Sequence, residues 1–210
     1  MKNITWHVTG SNKGFTGAVN TGVSLGSAPL IVLLNDDTQV TSEWLDELLK
    51  QQEKTNVDMV ASHIILASDK KTVDSLGFTF LWRGKAIALT NTSVPLNIVN
   101  ASDHWLKNQD LLNEKSEDIS FFQEPFGPDA AAALYTRSLW EKLGGMNDAF
   151  FAYLEDVDFA IRARKIGAHC VIADKAIVYH HKHATSEHFS GFKAKQDMYN
   201  WWRIVIGSYP

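Results

Sequence analysis

The chain has 210 residues, a formal net charge of -4, 45% hydrophobic and 21% charged residues. This ordinary globular balance excludes a disordered chain, and the lack of a basic field argues against nucleic acid as a partner. The single cysteine, Cys170, cannot form an internal disulfide, and no apolar run nears the roughly 20 residues of a membrane span, so a cytoplasmic location is expected.

In chain order, "ITWHV" at residues 4 to 8 alternates as a short strand does. "TGSNKGFTGAVNTGVSLGSA" then predicts a glycine-rich loop and a small-residue helix. "PLIVLLN" is apolar on both faces and reads as a fully buried strand of a parallel sheet. Thr41 or Ser42 is placed to cap the next helix, with Trp44, Leu45, Leu48 and Leu49 along one face. "VDMVASHIIL" is the following strand, which makes the rhythm α/β. Residues 69 to 120 read as a variable excursion with a hairpin around "FTFLWRGKAIAL". "GPDAAAALYTRSLWEKLGG" predicts a strand and a short helix, capped by Ser138 and ended by Gly144. An amphipathic helix follows, with Leu154, Val157 and Ile161 on one face and Gly167 at its end. "HCVIA" and "AIVYHH" read as two short strands. The aromatic tail from residue 187 to 210 is expected to pack on the domain, with association between chains or peripheral membrane contact as the other options.

Four stretches could carry chemistry. Asn35-Asp36-Asp37 ends a strand, where α/β sheets gather ligands and where hard oxygens suit Mg²⁺ or Mn²⁺. Alone, it fits a polar turn equally well. Glu155-Asp156-Val157-Asp158 crowds three carboxylates, which raises the proton affinity of one of them and suits it to act as a base. Acidic residues in a first helical turn also need no more explanation than the helix dipole. His180-His181-Lys182-His183, with His188 beyond, places only one of the first two on a given strand face. "NKGFTGAVNTG" allows close backbone approach to a phosphate at a helix start, without matching a P-loop.

Taken together and in order, "NKGF…NTG", "LLNDDT", "GPDAAAALYTRSLWEKLGGMNDAFFAYLEDVDFAIRARKIG" and "VYHH" with Thr185 and Ser186 resemble the family-2 glycosyltransferases, in particular the rhamnosyltransferase-like branch. The likeness covers residues 12 to about 66 and 125 to about 186. It implies a GT-A-like, Rossmann-like α/β domain over residues 1 to 186 with a mostly parallel sheet. It implies inverting, metal-dependent transfer from a nucleotide-diphosphate sugar to a glycan or lipid-linked acceptor. Asp37 would bind the Mg²⁺ or Mn²⁺, with His180 as a further ligand and His181 in reserve. Asp36 would lie near the ribose, and Asn12, Gly14 and Asn20 would border the nucleotide. Asp156, paired with Glu155, would deprotonate the acceptor. Asn35 stands where many relatives have an Asp, so fewer charges hold the metal. The resemblance also leads one to expect a strand-helix-strand unit of about 60 residues ahead of residue 4. The domain is therefore expected to be incomplete at its N-terminus, with an exposed sheet edge at "ITWHV" that promotes homo-oligomers. That expectation motivates the alternatives, a degenerate non-catalytic binding module or one part of a two-chain enzyme. A metal-dependent hydrolase built on the His and Asp residues is the remote option.

Overall fold

Eleven-residue α1 (Gly14–Ser24) opens the regular structure, with Phe15, Val19 and Val23 one turn apart and packed against the core. The computed structural model describes residues 4–80, 85–90, 124–181 and 190–208. After α1 come β1 (Leu30–Leu34), β2 (Thr38–Val40), α2 (Trp44–Thr55), β3 (Met59–Leu66), β4 (Val73–Ser75), β5 (Phe78–Phe80) and β6 (Ala86–Ala88). Then follow β7 (Ala132–Thr136), α3 (Arg137–Leu143), α4 (Glu155–Lys165), β8 (Cys170–His180) and α5 (Ser190–Ser208). The predicted hairpin is present, as β5 and β6 pair antiparallel. His183, Thr185, Ser186, His188 and most of the 69 to 120 excursion lie outside the described residues.

The main sheet runs β1-β7-β3-β8-β2, with β4 on β3. Strand alternation sends successive side chains to opposite faces. Met59 and Ala61 of β3 and Ala133 and Tyr135 of β7 therefore join one core cluster, with Trp140 of α3 and Phe159 of α4. Val60, Ile64, Ala132 and Leu134 join the other, under Trp44 and Leu48 of α2. Helices thus cover both faces, as the apolar strands require. Trp44 also satisfies its indole N–H, which donates to Ser62 Oγ at 2.9 Å.

Several expectations are corrected. The sheet is mixed rather than mostly parallel: β1, β3 and β8 share a direction, but antiparallel β7 lies between β1 and β3, leaving only β3 and β8 as parallel neighbours. β1 is not fully buried, because it pairs on one side only and Leu34 is 44% exposed. A groove of about 390 Å³ between α1 and β1 is lined by Phe15, Val19, Val23 and Leu34 and reaches Asn35. Residues 4 to 8 form no strand, since no neighbour among the described residues supplies a ladder, and Trp6 is 91% exposed. "HCVIA" and "AIVYHH" are one strand, β8, whose pairing to β3 skips from Ala173 to Ile177 in a bulge. The α2 N-cap is Glu43, whose side chain accepts from Ser42 Oγ and makes no capping bond, and Leu45 and Leu49 are exposed while Trp44 and Leu48 are buried. Thr136, not Ser138, caps α3, accepting from the Leu139 N–H. Gly144 ends α3 as expected, with a left-handed φ of 72°.

The tail packs as α5. Ile204 is buried and Trp201 half-buried in a cluster with Phe150, Val157, Leu154 and Ile161, so the predicted apolar face of α4 meets α5. Burying one such aliphatic side chain contributes about 2 kcal/mol. No helix among the described residues is long and apolar enough to cross a membrane.

Candidate active site

The carboxyl-terminal ends of β1 and β8 and the start of β7 meet at one rim of the sheet. Antiparallel register sets Leu34 against Ala132, and Asn35 N–H donates to Ala131 O at 2.9 Å. Thr38 of β2 pairs with His180, and His181 N–H donates to Asp37 O at 2.8 Å. The ends of these strands therefore bring Asp37, Asp129 and His180 to the same rim.

His180 Nε2 lies 3.4 Å from Asp37 Oδ2, and its Nδ1 lies 2.9 Å from Asp74 Oδ2. The Asp74 hydrogen bond is the main reason His180 titrates above its ordinary range, with the Asp37, Asp74 and Asp129 charges adding to it against burial. Asp37 Oδ1 is buried and has no hydrogen-bond partner among the described residues. A neutral His180 that donates Nδ1–H to Asp74 turns the Nε2 lone pair toward Asp37, the arrangement by which a carboxylate orients a metal-binding imidazole. One orphaned carboxylate oxygen and one imidazole nitrogen fit a divalent cation. Among the described residues no three His, Cys, Asp or Glu side chains gather as a metal cage, so remaining ligands would come from solvent or a phosphate. His181 is exposed. Asp36 is exposed beside the half-buried Asp37.

The Glu155-Asp156 pair sits at the first turn of α4. Asp156 Oδ1 accepts from Val157 N–H at 2.8 Å, and Oδ2 from Ala130 N–H at 3.4 Å. Glu155 is buried and its Oε2 has no hydrogen-bond partner among the described residues. Burial pushes both carboxyls up, Asp156 with help from the Asp129 charge and Glu155 with help from Asp156 and Asp129. These causes outweigh the backbone N–H groups that favour both charged forms and the Lys193 charge that favours that of Glu155. The third carboxylate of the cluster is different: Asp158 holds Arg162 Nε at 2.8 Å, while the same guanidinium donates to the Leu143 and Gly145 carbonyls. Geometry thus separates a structural Asp158 from two carboxyls suited to share a proton.

A strap of residues 150 to 154 delivers the chain to Glu155. Tyr153 and Leu154 both have left-handed backbones, with φ of 69° and 63°. Such conformations cost about 1–2 kcal/mol per non-glycine residue. Phe15 N–H donates to Phe151 O at 2.7 Å. Gly14, at φ +70°, permits this approach, because a Cβ there would lie 2.2 Å from Phe151 O. Asn12 Oδ1 accepts from Gly14 N–H at 2.9 Å, which closes the turn that starts α1. Asn20 clamps the next loop, donating to Met146 O and Asp148 Oδ1 and accepting from Met146 N–H. These three residues therefore shape the wall beside the carboxyl pair.

Two residues of the rim have no place in the reading of the sequence. Asp129 acts on both Asp156 and His180, and its signal was its position just before the small-residue strand. Asp74 reaches His180 only through the pairing of β4 to β3, which leaves no local mark.

A family model described as "Glycosyl transferase family 2" matches residues 2–143. A low-salt glycan biosynthesis hexosyltransferase of Haloferax volcanii is 23% identical over 161 residues, 75% of this chain and 45% of that protein. An N-acetylglucosaminyl-diphospho-decaprenol L-rhamnosyltransferase of Mycobacterium tuberculosis is 29% identical over 114 residues, 49% of this chain and 37% of that protein. The chain spans less than half the length of either. The crystal structure of GalNAc-T7 with UDP, GalNAc and Mn²⁺ is similar in fold, with a TM-score of 0.54 at 11% identity over 80% of this chain and 30% of that one.

Proposed function

The chain belongs to glycosyl transferase family 2 and has its GT-A-like fold, and from that premise we propose that it transfers a sugar from a nucleotide-diphosphate donor to an acceptor hydroxyl with inversion. The observation that carries this reading is the Glu155-Asp156 pair, both carboxyls raised by burial, on the rim that also holds Asp37 and His180. Asp156 takes the acceptor proton, the acceptor oxygen forms the new bond at the anomeric carbon, and the bond to the diphosphate breaks with its electron pair. A carboxyl whose proton affinity is raised toward neutrality is a stronger base than an ordinary Asp and remains available near neutral pH. Glu155, more deeply buried, keeps a proton beside it and so limits the negative charge there.

Asp37 and His180 would hold Mg²⁺ or Mn²⁺, which when bound supplies positive charge for the leaving diphosphate. Asp74 keeps the His180 ring turned with Nε2 toward Asp37. Asp36 and the loop from Asn12 to Gly14 border the nucleotide side. The names of the two relatives make a hexose or deoxyhexose donor and a glycan or lipid-linked acceptor the first candidates. A cytoplasmic location, with the acceptor reached at a membrane surface, accords with that acceptor class.

Titration calorimetry with Mn²⁺ and a panel of nucleotide sugars tests donor binding, and no binding by the folded protein overturns the donor site. Asp156→Asn should lower turnover by about 10²–10⁴-fold, the usual contribution of a general base, with donor affinity kept. Full activity in that variant refutes the base. A second reading, a transferase-like module that binds without turnover, is favoured by the unpaired, exposed residues 4 to 8 and the open edge of β1. It predicts glycan binding without consumption of any donor.

A further inference from the structure

Three successive carbonyls of the strap are each held from outside it. Phe151 O is held by α1, as described above, while Ala152 O and Tyr153 O both accept from Asn200 Nδ2 of α5, at 2.8 and 2.6 Å. Asn200 is 0% exposed. Its Oδ1 accepts from Arg203 Nη1 at 2.8 Å, so both amide hydrogens and the oxygen are engaged. An amide buried this completely, turned toward two adjacent carbonyls, is more than a contact that fills space. The carbonyls it binds belong to Tyr153, the first left-handed residue, and to the residue before it. Leu154, the second, is the N-cap of α4, and Asp156 follows two residues later. The first turn of α5 also meets the strap: the Phe192 ring packs against Phe151 and Tyr153, and Lys193 Nζ lies 4.1 Å over the Tyr153 ring.

Strained backbone persists only where its surroundings over-determine it. Neither Tyr153 nor Leu154 offers glycine's freedom or the local side-chain bonding of Asn, so nothing in the strap itself favours the left-handed turn. The restraint comes from α5. We propose that Asn200 is a positioning residue: it latches the strained strap and so sets the direction in which the start of α4 presents Asp156 to the acceptor. The catalytic unit then includes α5, which the sequence placed in a separate tail. Asn200 acts through the strap and touches neither donor nor acceptor. The catalytic part of this inference rests on the role proposed for Asp156; the latch itself does not.

The test uses the full chain with Asn200→Ala, Asn200→Ser and Asn200→Asp. Serine keeps one donor, alanine none, and the aspartate carboxylate would face two carbonyl oxygens with no hydrogen to give. Hydrogen exchange, measured without any nucleotide sugar, should speed at the Val157 and Asp158 amides in the order Ser, Ala, Asp. Exchange in β3 and β8 should stay at the wild-type rate. In the transferase assay kcat should fall about tenfold to a hundredfold, the usual result of misplacing a reacting group by about 1 Å, while the donor KM stays within about twofold. Asn200→Ser should retain the most activity. Unchanged exchange at the start of α4 in both Asn200→Ala and Asn200→Asp overturns the latch. Losses of kcat and donor affinity in parallel with global unfolding overturn the positioning role. If one variant fails to fold, the serine variant decides both points. A wild-type protein that turns over no donor removes the proposed function, while the exchange rates still decide the latch.

Discussion

Replacing Glu155 by Gln should make the protein more stable at neutral pH, and the size of the gain should depend on pH. Burial, reinforced by the charges of Asp156 and Asp129, pushes Glu155 up to about 8 from an ordinary 4.5. Between those values the folded chain keeps a proton that the unfolded chain has released. The stabilisation linked to that proton is fully present below about 4.5 and is lost as pH rises through about 8. Each unit is worth about 1.4 kcal/mol, so a rise from about pH 5 to about pH 7 removes about 3 kcal/mol. Gln has the same shape, carries no proton to lose and ends in an equally unpaired amide, so the variant should escape this loss. His180 contributes with the same sign, because its raised affinity for a proton also favours the fold at low pH and fades as pH rises. The difference between wild type and variant cancels that contribution. Urea denaturation at about pH 5, 6, 7 and 8 measures it. The two proteins should match near pH 5, and the variant should lead by about 2–3 kcal/mol near pH 7. A constant difference across the series would refute the conclusion that burial outweighs the Lys193 charge at this carboxyl.

Two further outcomes follow from the same geometry. Gly14→Ala places a Cβ 2.2 Å from Phe151 O at a left-handed φ, so it should cost about 2 kcal/mol or more in thermal or urea unfolding and reduce turnover through the strap. Arg162→Met leaves the buried Asp158 and two carbonyls without their donor, and should cost about 2–3 kcal/mol, less than a fully buried pair because the Arg162 side chain is 28% exposed. The difference in urea midpoints between wild type and variant reads this loss directly. A neutral result at Gly14 would show that the strap yields to the added Cβ without cost, and one at Arg162 that water replaces the guanidinium.

Much of the site was legible because its residues fall at element boundaries, where composition changes abruptly. "LLNDDT" announces the end of an apolar strand in carboxylates, and "LEDVDF" announces the start of an amphipathic helix. What could not be read was which carboxylate does what. Asp158 is spent on Arg162 four residues away, a pairing visible in the spacing once the helix is known. Glu155 and Asp156 stand apart from Asp158 because the fold buries them without an arginine in hydrogen-bond contact. His180 and His181 could not be separated by simple alternation, because the bulge at residues 174 to 176 resets the parity of β8. The same bulge explains why one strand looked like two.

By itself the sequence determined the α/β rhythm, the presence of four helices in the order of α1 to α4, and the acidic and histidine residues at the element ends, since periodicity is a local property of the chain. The cap residues of α2 and α3 differ from those it suggested. Tertiary structure alone decided the order of strands, because pairing is a long-range choice that no window of residues encodes. It inserted antiparallel β7 between β1 and β3, left residues 4 to 8 without a neighbour, and brought Asp74 to His180 and Asn200 to the strap. Those last two contacts join residues 106 and 47–48 positions apart in the chain. Hydrogen bonds between such distant partners depend on the whole packed core, and so they become visible only when the chain is folded.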